Sequence, residues 1–448
     1  NRGETRRHIG TKRMLGALLA LGYAALLLFA IRKVAFFLAP GLGRRTIGGL
    51  FLLKILAGTA LWYVYTCMHT DRATADIYRY FDDGNIMFSA MPEHPLDYLS
   101  MLTGIGNDQR RFDANYYQVM HNWYRQYESN VYNDAHTMIR FNAFVRLFSF
   151  GHYHVHTVFI CFLCTIGLVA LYKAFVPNIR GHERAWVGAL FLLPSVLFWS
   201  SGVIKEALLM FGLGLFLFTL MDLFRHGPRA RSLLLVPATV LLFFLKFYVL
   251  FSLLPALVAY AWCVKTGLRR PLFKFLVVFG VFAVIGLTAG LVHPGLRVLE
   301  ILWIKQRDFI GMATAAGSGS LVHVAELRPN AWSFAQQIPH ALYMTFLAPL
   351  TAVGNGPLGI LSALENVVLI ALLASVPRWR RSWAEVDKPL LLFCLGYVLV
   401  LALVIGWTTP VIGAVVRYRV PLLPFLMLAC LCIADPKKMP AWMKTLKP

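Results

Sequence analysis

The stretch TADIYRYFDDGNI, residues 74–86, places acidic, basic and aromatic side chains directly after an apolar segment. Asp76, Tyr80 and Gly84 are spaced four residues apart, which puts them on roughly one face of a helix. A carboxylate at this height beside a membrane can act as a general base on a hydroxyl group. The same stretch also fits a solvated loop start with a helix N-cap at Thr74 or Asp76. The candidate catalytic residues are therefore Asp76, with Asp71, Asp82 and Asp83 as alternates or acceptor-binding groups.

Basic residues at the ends of later apolar runs are candidates for binding an anion. Lys205 and Glu206 begin one run, and adjacent residues on a helix point to different sides, so they do not simply neutralise one another. A cation near a helix start favours a phosphate group, although the lysine can also extend to the surface. Arg417 and Arg419 offer planar guanidinium groups that suit phosphate oxygens. The candidate substrate-binding residues are Tyr80, Lys205, Glu206, Lys246, Tyr248, Arg307, Arg417 and Arg419.

The composition indicates which kind of fold must position these residues. Hydrophobic residues make up 58% of the 448, charged residues 14%, and the mean hydropathy is +0.63. These values exclude an ordinary soluble domain and predict an all-α, polytopic transmembrane bundle, with residues 1–448 forming a single transmembrane domain. The net charge of +22 comes from short basic clusters between apolar runs, a pattern that marks the cytoplasmic side of a membrane protein. We expect contacts with membrane lipids and none with nucleic acid.

The alternation of basic clusters predicts about ten or eleven spans. The clusters lie near residues 44–45, 180–184, 225–231, 265–274, 378–388 and 437–447. The predicted spans are 46–68, 154–176, 186–201, 203–224, 233–247, 249–265, 273–291, 356–376, 389–407 and 415–434. The segment 14–38 is flanked by basic residues on both sides, so the charge rule does not orient it, and it is either an eleventh span or an interfacial helix.

Two long segments then face away from the cytoplasm. Residues 70–150 hold ten of the 21 acidic residues and are predicted to be the catalytic loop, with interfacial amphipathic helices in PLDYLSMLTGI and AHTMIRFNAFVRLFSFG. Residues 292–345 contain the glycine- and serine-rich stretch GMATAAGSGS. This stretch is compatible with a mobile gate and equally with an ordinary loop. The apolar stretch 333–357 is broken by three prolines and is predicted to be re-entrant.

The arrangement resembles the GT-C class of integral membrane glycosyltransferases. The resemblance rests on TADIYRYFDDG, in which an exposed Asp76 follows a span within a long external loop, and on VVRYRVPLLP at residues 415–424. It implies transfer of a sugar from a polyprenyl-phosphate or polyprenyl-diphosphate carrier, with Asp76 as the catalytic base and inversion at the sugar. The acceptor would be a lipid-linked glycan or another hydroxyl compound. The chain departs from that class in having the apolar segment 14–38 ahead of the loop.

From these residues we expect an enzyme of a bacterial-type inner membrane, with its active site on the non-cytoplasmic side. We expect no cofactor and no metal requirement, because Arg417, Arg419 and Lys205 can hold the carrier phosphate, although an aspartate-rich loop leaves a divalent metal open. The first alternative is a polysaccharide polymerase or O-antigen ligase-like enzyme, which would depend on Arg307 or Arg328. The second is a transporter or lipid flippase, whose ionisable residues should lie in mid-span, whereas apart from Lys54 nearly all of the charges here lie at the span ends.

Overall fold

The computed structural model describes residues 2–68, 71–124, 132–267, 269–354 and 356–440. It is helical, and these residues contain three isolated β-bridges but no β-strand. The first helices are α1 (Arg2–Lys33), α2 (Arg44–Met68), α3 (Asp76–Ser89), α4 (Pro95–Thr103), α5 (Arg110–Asn115) and α6 (Ala135–Ser149). They are followed by α7 (Tyr153–Phe175), α8 (Glu183–Val187), α9 (Pro194–Trp199), α10 (Lys205–His226), α11 (Leu235–Thr266) and α12 (Pro271–Val292). The last are α13 (Val298–Ala315), α14 (Ala331–Gln336), α15 (Ile338–Phe346), α16 (Gly356–Trp379), α17 (Lys388–Thr408), α18 (Ile412–Tyr418) and α19 (Leu423–Ile433).

Eight helices within the described residues are long and apolar enough to cross a membrane, and α18 with α19, bent by 59°, adds a ninth. The protein is therefore a polytopic helical membrane protein. The eight segments are Met14–Lys33, Arg44–Met68, Tyr153–Asn178, Lys205–His226, Ala230–Thr266, Pro271–Val292, Gly356–Trp379 and Lys388–Thr408. Length and composition therefore give eight or nine spanning helices among the described residues, compared with the ten or eleven that the sequence predicts.

The difference comes from two places. The predicted span 186–201 is divided into α8, a π-helical turn at Gly188–Leu192 and α9, because Pro194 has no backbone N–H with which to continue the preceding helix. The predicted spans 233–247 and 249–265 are counted as one helix, α11, but its backbone is non-helical at Lys246 (φ −154°, ψ 80°), and the two predicted segments correspond to the two arms on either side of that residue.

Helix α11 doubles back at Lys246. Before the bend, Leu242 lies against Gly212 in α10, and Lys246 itself contacts Glu206 at the start of α10. After the bend, the ring of Tyr260 lies 6.2 Å from that of Phe224, near the end of α10. Both arms of α11 therefore run along α10, and the bend lies at the end of the bundle where α10 begins.

The bundle has two distinct ends. The basic end comprises residues 34–43, 176–182, 227–234, 269–270, 380–387 and 434–438, while residues 441–447 of the last predicted basic cluster lie outside the described residues. The large-loop end comprises residues 71–124, 132–152, 200–204 and 293–354. Helix α1 runs between these two ends, because its Tyr23 hydroxyl donates to the Phe148 carbonyl and its last turn leads into the basic end. This placement favours a span over an interfacial helix for the segment 14–38.

The first large loop contains α3 to α6. Both stretches predicted to be amphipathic helices are helical, as α4 and α6. Helices α3 and α6 approach closely at Gly84, where an added Cβ would lie 2.6 Å from Asn142 Cβ. Gly84 thus allows the contact that fixes the direction of α3, and with it the position of Asp76.

The second large loop contains α13, α14 and α15. Its glycine- and serine-rich stretch is helical up to Ala315 and is then held beside the link between α17 and α18. The Val322 N–H donates to the Pro410 carbonyl at 2.8 Å, and the Ile412 N–H donates to the Ser320 carbonyl at 3.0 Å. The stretch 333–357 forms only short helical pieces, in agreement with the prediction that it does not span.

Candidate functional site

Four side chains that are distant in sequence form a continuous series of ion pairs at the large-loop end. Asp76 Oδ2 lies 2.9 Å from Arg417 Nη1, and Arg417 Nε lies 2.9 Å from Glu206 Oε2. Glu206 Oε1 lies 2.7 Å from Lys246 Nζ. We call these four residues the charge chain. Its two carboxylates and two cations alternate, which limits the free energy that unpaired buried charges would cost.

Every member of the charge chain lies at the end or break of a helix. Asp76 is the first residue of α3, after extended Ala75, and Glu206 lies in the first turn of α10. Arg417 occupies the last turn of α18. These positions are favourable, because the helix dipole stabilises carboxylates at helix starts and cations at helix ends. Lys246 lies at the bend of α11. Three helix ends and one helix bend thus bring four charges to one place.

The charge chain is open at one end and closed at the other. The side chain of Asp76 is 35% exposed and that of Arg417 13%, whereas Lys246 is 5% and Glu206 0% exposed. Burial opposes ionisation of Asp76, but the charge of Arg417 and its hydrogen bond outweigh burial and hold the pKa of Asp76 below its ordinary value of 3.8. Asp76 is therefore ionised at neutral pH, and it is the carboxylate of the chain that a ligand can reach.

Lys205 extends the site beyond the charge chain. Its Nζ lies 2.8 Å from Asp134 Oδ1, just before α6, and 5.4 Å from the centre of the Tyr80 ring. The charge of Lys205 also contributes to lowering the pKa of Asp76. Lys205 and Glu206 thus point to different partners, and Lys205 ties α10 to the first large loop.

A cavity of about 360 Å³ lies against Arg417. Its walls come mainly from apolar and aromatic side chains of α2, α9, α16 and α18, and Tyr65 and Trp199 are among them. Ser195, Ser320, Ser362 and Glu365 contribute polar groups to the lining. An apolar cavity that ends at a guanidinium group is suited to an apolar chain with an anionic head.

The three alternate aspartates make other contacts. Asp82 is held by both Nε and Nη2 of Arg72 at 2.7 Å, and Asp71 accepts a hydrogen bond from the Ala73 N–H. Asp83 is buried and accepts the N–H groups of two consecutive residues, 121 and 122, at 2.8 Å each. Burial raises the pKa of Asp83, although those N–H groups act in the opposite direction. The structure does not bring these three carboxylates into the charge chain, and their contacts are those of residues that shape the loop.

Arg419 is also separate from the charge chain, contrary to the expectation that it joins Arg417. It is 1% exposed and donates to Glu365 Oε2 at 3.1 Å and to Asn366 Oδ1 at 2.6 Å. Glu365 also accepts the backbone N–H of Ser195 at 2.7 Å. This buried network joins α9, α16 and the bend between α18 and α19, and its Glu365 is part of the cavity wall.

Two other predicted residues lie beside the site. Tyr248 is close to Lys246, whose Nζ is 5.9 Å from the Tyr248 ring and 4.1 Å from the Tyr418 ring. Arg307 lies on α13 with its guanidinium 5.2 Å from the Trp303 ring. Helix α13 comes close to the charge chain, because the ring of its Phe309 lies 6.2 Å from the ring of Tyr418, the residue that follows Arg417.

Sequence reasoning missed three residues of this region. Tyr65 hydrogen-bonds Arg417 from the last turns of α2, Asp134 pairs with Lys205, and Glu365 pairs with Arg419. Glu365 left a signal in the sequence, because a carboxylate in the middle of an apolar run requires a partner. Nothing in the sequence distinguishes Asp134 from the other acidic residues of its loop.

Among the described residues, no group of three or more His, Cys, Asp and Glu side chains is close enough to hold a metal ion. No protein-family model matches the chain, and neither a curated protein nor a solved structure matches it.

Proposed function

We propose that the protein is a glycosyltransferase of the GT-C type, which transfers a sugar from a polyprenyl-phosphate or polyprenyl-diphosphate carrier to an acceptor hydroxyl. The observation that carries this proposal is the contact between Asp76 and Arg417 beside an apolar cavity. A base for the acceptor and a cation for the leaving phosphate thus lie together, and the cavity offers room for an apolar carrier.

In the proposed step, Asp76 takes the proton of the acceptor hydroxyl. At the same time the oxygen of that hydroxyl forms a bond to the anomeric carbon of the sugar. The bond from that carbon to the carrier phosphate breaks, and its electron pair goes to the phosphate oxygen. Arg417 and Lys205 stabilise the negative charge that develops there. Attack opposite to the leaving group inverts the configuration at the sugar.

Glu206 and Lys246 serve in this scheme to position Arg417 and do not touch the substrate. Glu206 is fully buried and holds Arg417 through Nε, while the contact with Asp76 uses Nη1. A phosphate group can therefore replace Asp76 at the outer nitrogens of Arg417 without releasing the guanidinium from Glu206. The displaced Asp76 loses its strongest cationic partner and becomes a better base for the acceptor.

The large-loop end is proposed to face the non-cytoplasmic side of a bacterial-type inner membrane, because the basic clusters lie at the opposite end. The proposed step draws its positive charge from Arg417 and Lys205, so we expect transfer to persist when divalent metals are chelated. Chelation that abolishes transfer would assign that role to a metal.

The test compares Asp76→Asn with Asp82→Asn, which removes a second carboxylate from the same helix. Membranes carrying each variant are supplied with a panel of radiolabelled polyprenyl-phosphate sugars, and label in the glycan product is measured. We expect Asp76→Asn to lose about 10²- to 10⁴-fold in rate, as is usual for removal of a general base, and Asp82→Asn to change little. Full activity of Asp76→Asn would remove Asp76 as the base. If Arg307→Gln abolishes transfer while Asp76→Asn is mild, the polymerase or ligase alternative replaces the proposal.

A further inference from the structure

A second cavity lies at the basic end, far along the bundle from the charge chain. It has a volume of about 450 Å³ and lies between the start of α12 and the start of α17. Two cations line it, Arg270 and Lys388, and Lys388 Nζ lies 5.8 Å from the ring of Trp383. The remaining lining is apolar, and neither Glu385 nor Asp387 belongs to it.

The surroundings of this cavity indicate a lipid as its occupant. Helix α12 is the most exposed of the eight candidate spans. Only 11% of its apolar stretch is buried inside the protein, compared with 56% for α17. Leu272 and Phe273, at the cavity, are 57% and 60% exposed. Trp383 is 62% exposed, and tryptophan is typical of the headgroup level of a membrane. The cavity is therefore open to the hydrocarbon that surrounds the bundle and positively charged at its headgroup side.

We propose that this cavity binds an anionic phospholipid from the leaflet at the basic end. Arg270 and Lys388 contact the lipid phosphate, Trp383 lies beside the headgroup, and an acyl chain runs along the exposed face of α12. The favoured lipid carries net negative charge, because a zwitterionic headgroup would bring its own cation to two cationic side chains. This inference does not depend on the proposed glycosyl transfer.

The first experiment uses the wild-type protein in nanodiscs that contain either photoactivatable phosphatidylglycerol or the matching phosphatidylcholine. Cross-linked peptides are identified by mass spectrometry. We expect cross-links from phosphatidylglycerol to concentrate in residues 270–273 and 383–392, and those from phosphatidylcholine to show no such preference. Cross-links spread evenly over the apolar helices with both lipids would overturn the proposal.

The second experiment measures phosphatidylglycerol affinity by native mass spectrometry for Arg270→Gln/Lys388→Gln. The matched control is Arg45→Gln/Arg378→Gln, which removes two exposed charges near the same end but outside the cavity. The cavity pair is expected to weaken binding by about ten- to thirtyfold, the effect of two cations close to an anionic headgroup, and the control pair by less than about threefold. An equal loss in both pairs would show diffuse attraction instead of a site. Competition by millimolar glycerol phosphate would assign the site to a soluble phosphate and refute the lipid.

Discussion

Removing the carboxylate of Glu206 is expected to destabilise the protein by much more than removing an exposed one. Glu206 is 0% exposed and lies between Lys246 Nζ at 2.7 Å and Arg417 Nε at 2.9 Å. The Glu206→Gln variant leaves Arg417 its contact with Asp76, but Lys246, which is 5% exposed, loses its carboxylate. Breaking a buried ion pair on one side typically costs about 3–5 kcal/mol, and we expect a loss in the free energy of unfolding of that size.

A second substitution separates this explanation from a simple packing defect. In Glu206→Gln/Lys246→Met the stranded cation is gone, so the double variant is expected to recover more than half of the loss. The free energy of unfolding is measured by reversible titration with sodium dodecyl sulfate in mixed micelles. The control is Glu300→Gln, whose exposed pair with Arg297 at 3.3 Å is worth at most about 1 kcal/mol. The reasoning fails if Glu206→Gln costs no more than the control, or if the double variant is no more stable than the single one.

Three further predictions use the same unfolding assay. Gly84→Ala should cost about 1–3 kcal/mol through overpacking against α6, while Gly280→Ala, which meets nothing within 4 Å, should be neutral or stabilising; equal effects would contradict the close contact. The pKa of Asp76 is depressed, so its ion pair stabilises the fold above the ordinary value of 3.8 and this contribution is lost as pH falls through the folded pKa. Asp76→Asn should therefore weaken the acid dependence of stability, and an unchanged dependence would argue against the pair. Glu365→Gln should cost about 3–5 kcal/mol because Arg419, 1% exposed, then loses its carboxylate, and a loss below about 1 kcal/mol would show that the network is not needed.

The spans and the loop helices were predictable because they depend on local composition and period. The apolar runs of α2, α7, α10, α12, α16 and α17 appear close to their predicted limits. The segment 186–201 was predicted, but the break within it was missed because hydropathy counts apolar residues and does not register that Pro194 starts a new helix. The bend of α11 at Lys246 lies close to the predicted boundary between two spans, although the structure has no separate loop there.

The candidate site was predictable in part, because charges at span ends are conspicuous. That Asp76 meets Arg417, 341 positions away, follows from the packing of helices and not from either local sequence. Arg419 was wrongly grouped with Arg417, since residues two apart on a helix do not share a face. It points into the network of Glu365, whereas Arg417 points toward α3 and α10.

The central claim is that Arg417, fixed by Glu206, holds the phosphate of a lipid-linked sugar beside Asp76. It is tested most directly by an electron cryomicroscopy structure of the protein in nanodiscs with a non-hydrolysable polyprenyl-phosphate sugar. The account predicts phosphate density in hydrogen-bonding contact with Arg417, with Asp76 displaced from Nη1 and the Glu206 contact retained. Phosphate density at the basic end, or an Asp76–Arg417 pair left intact with the phosphate elsewhere, would contradict it.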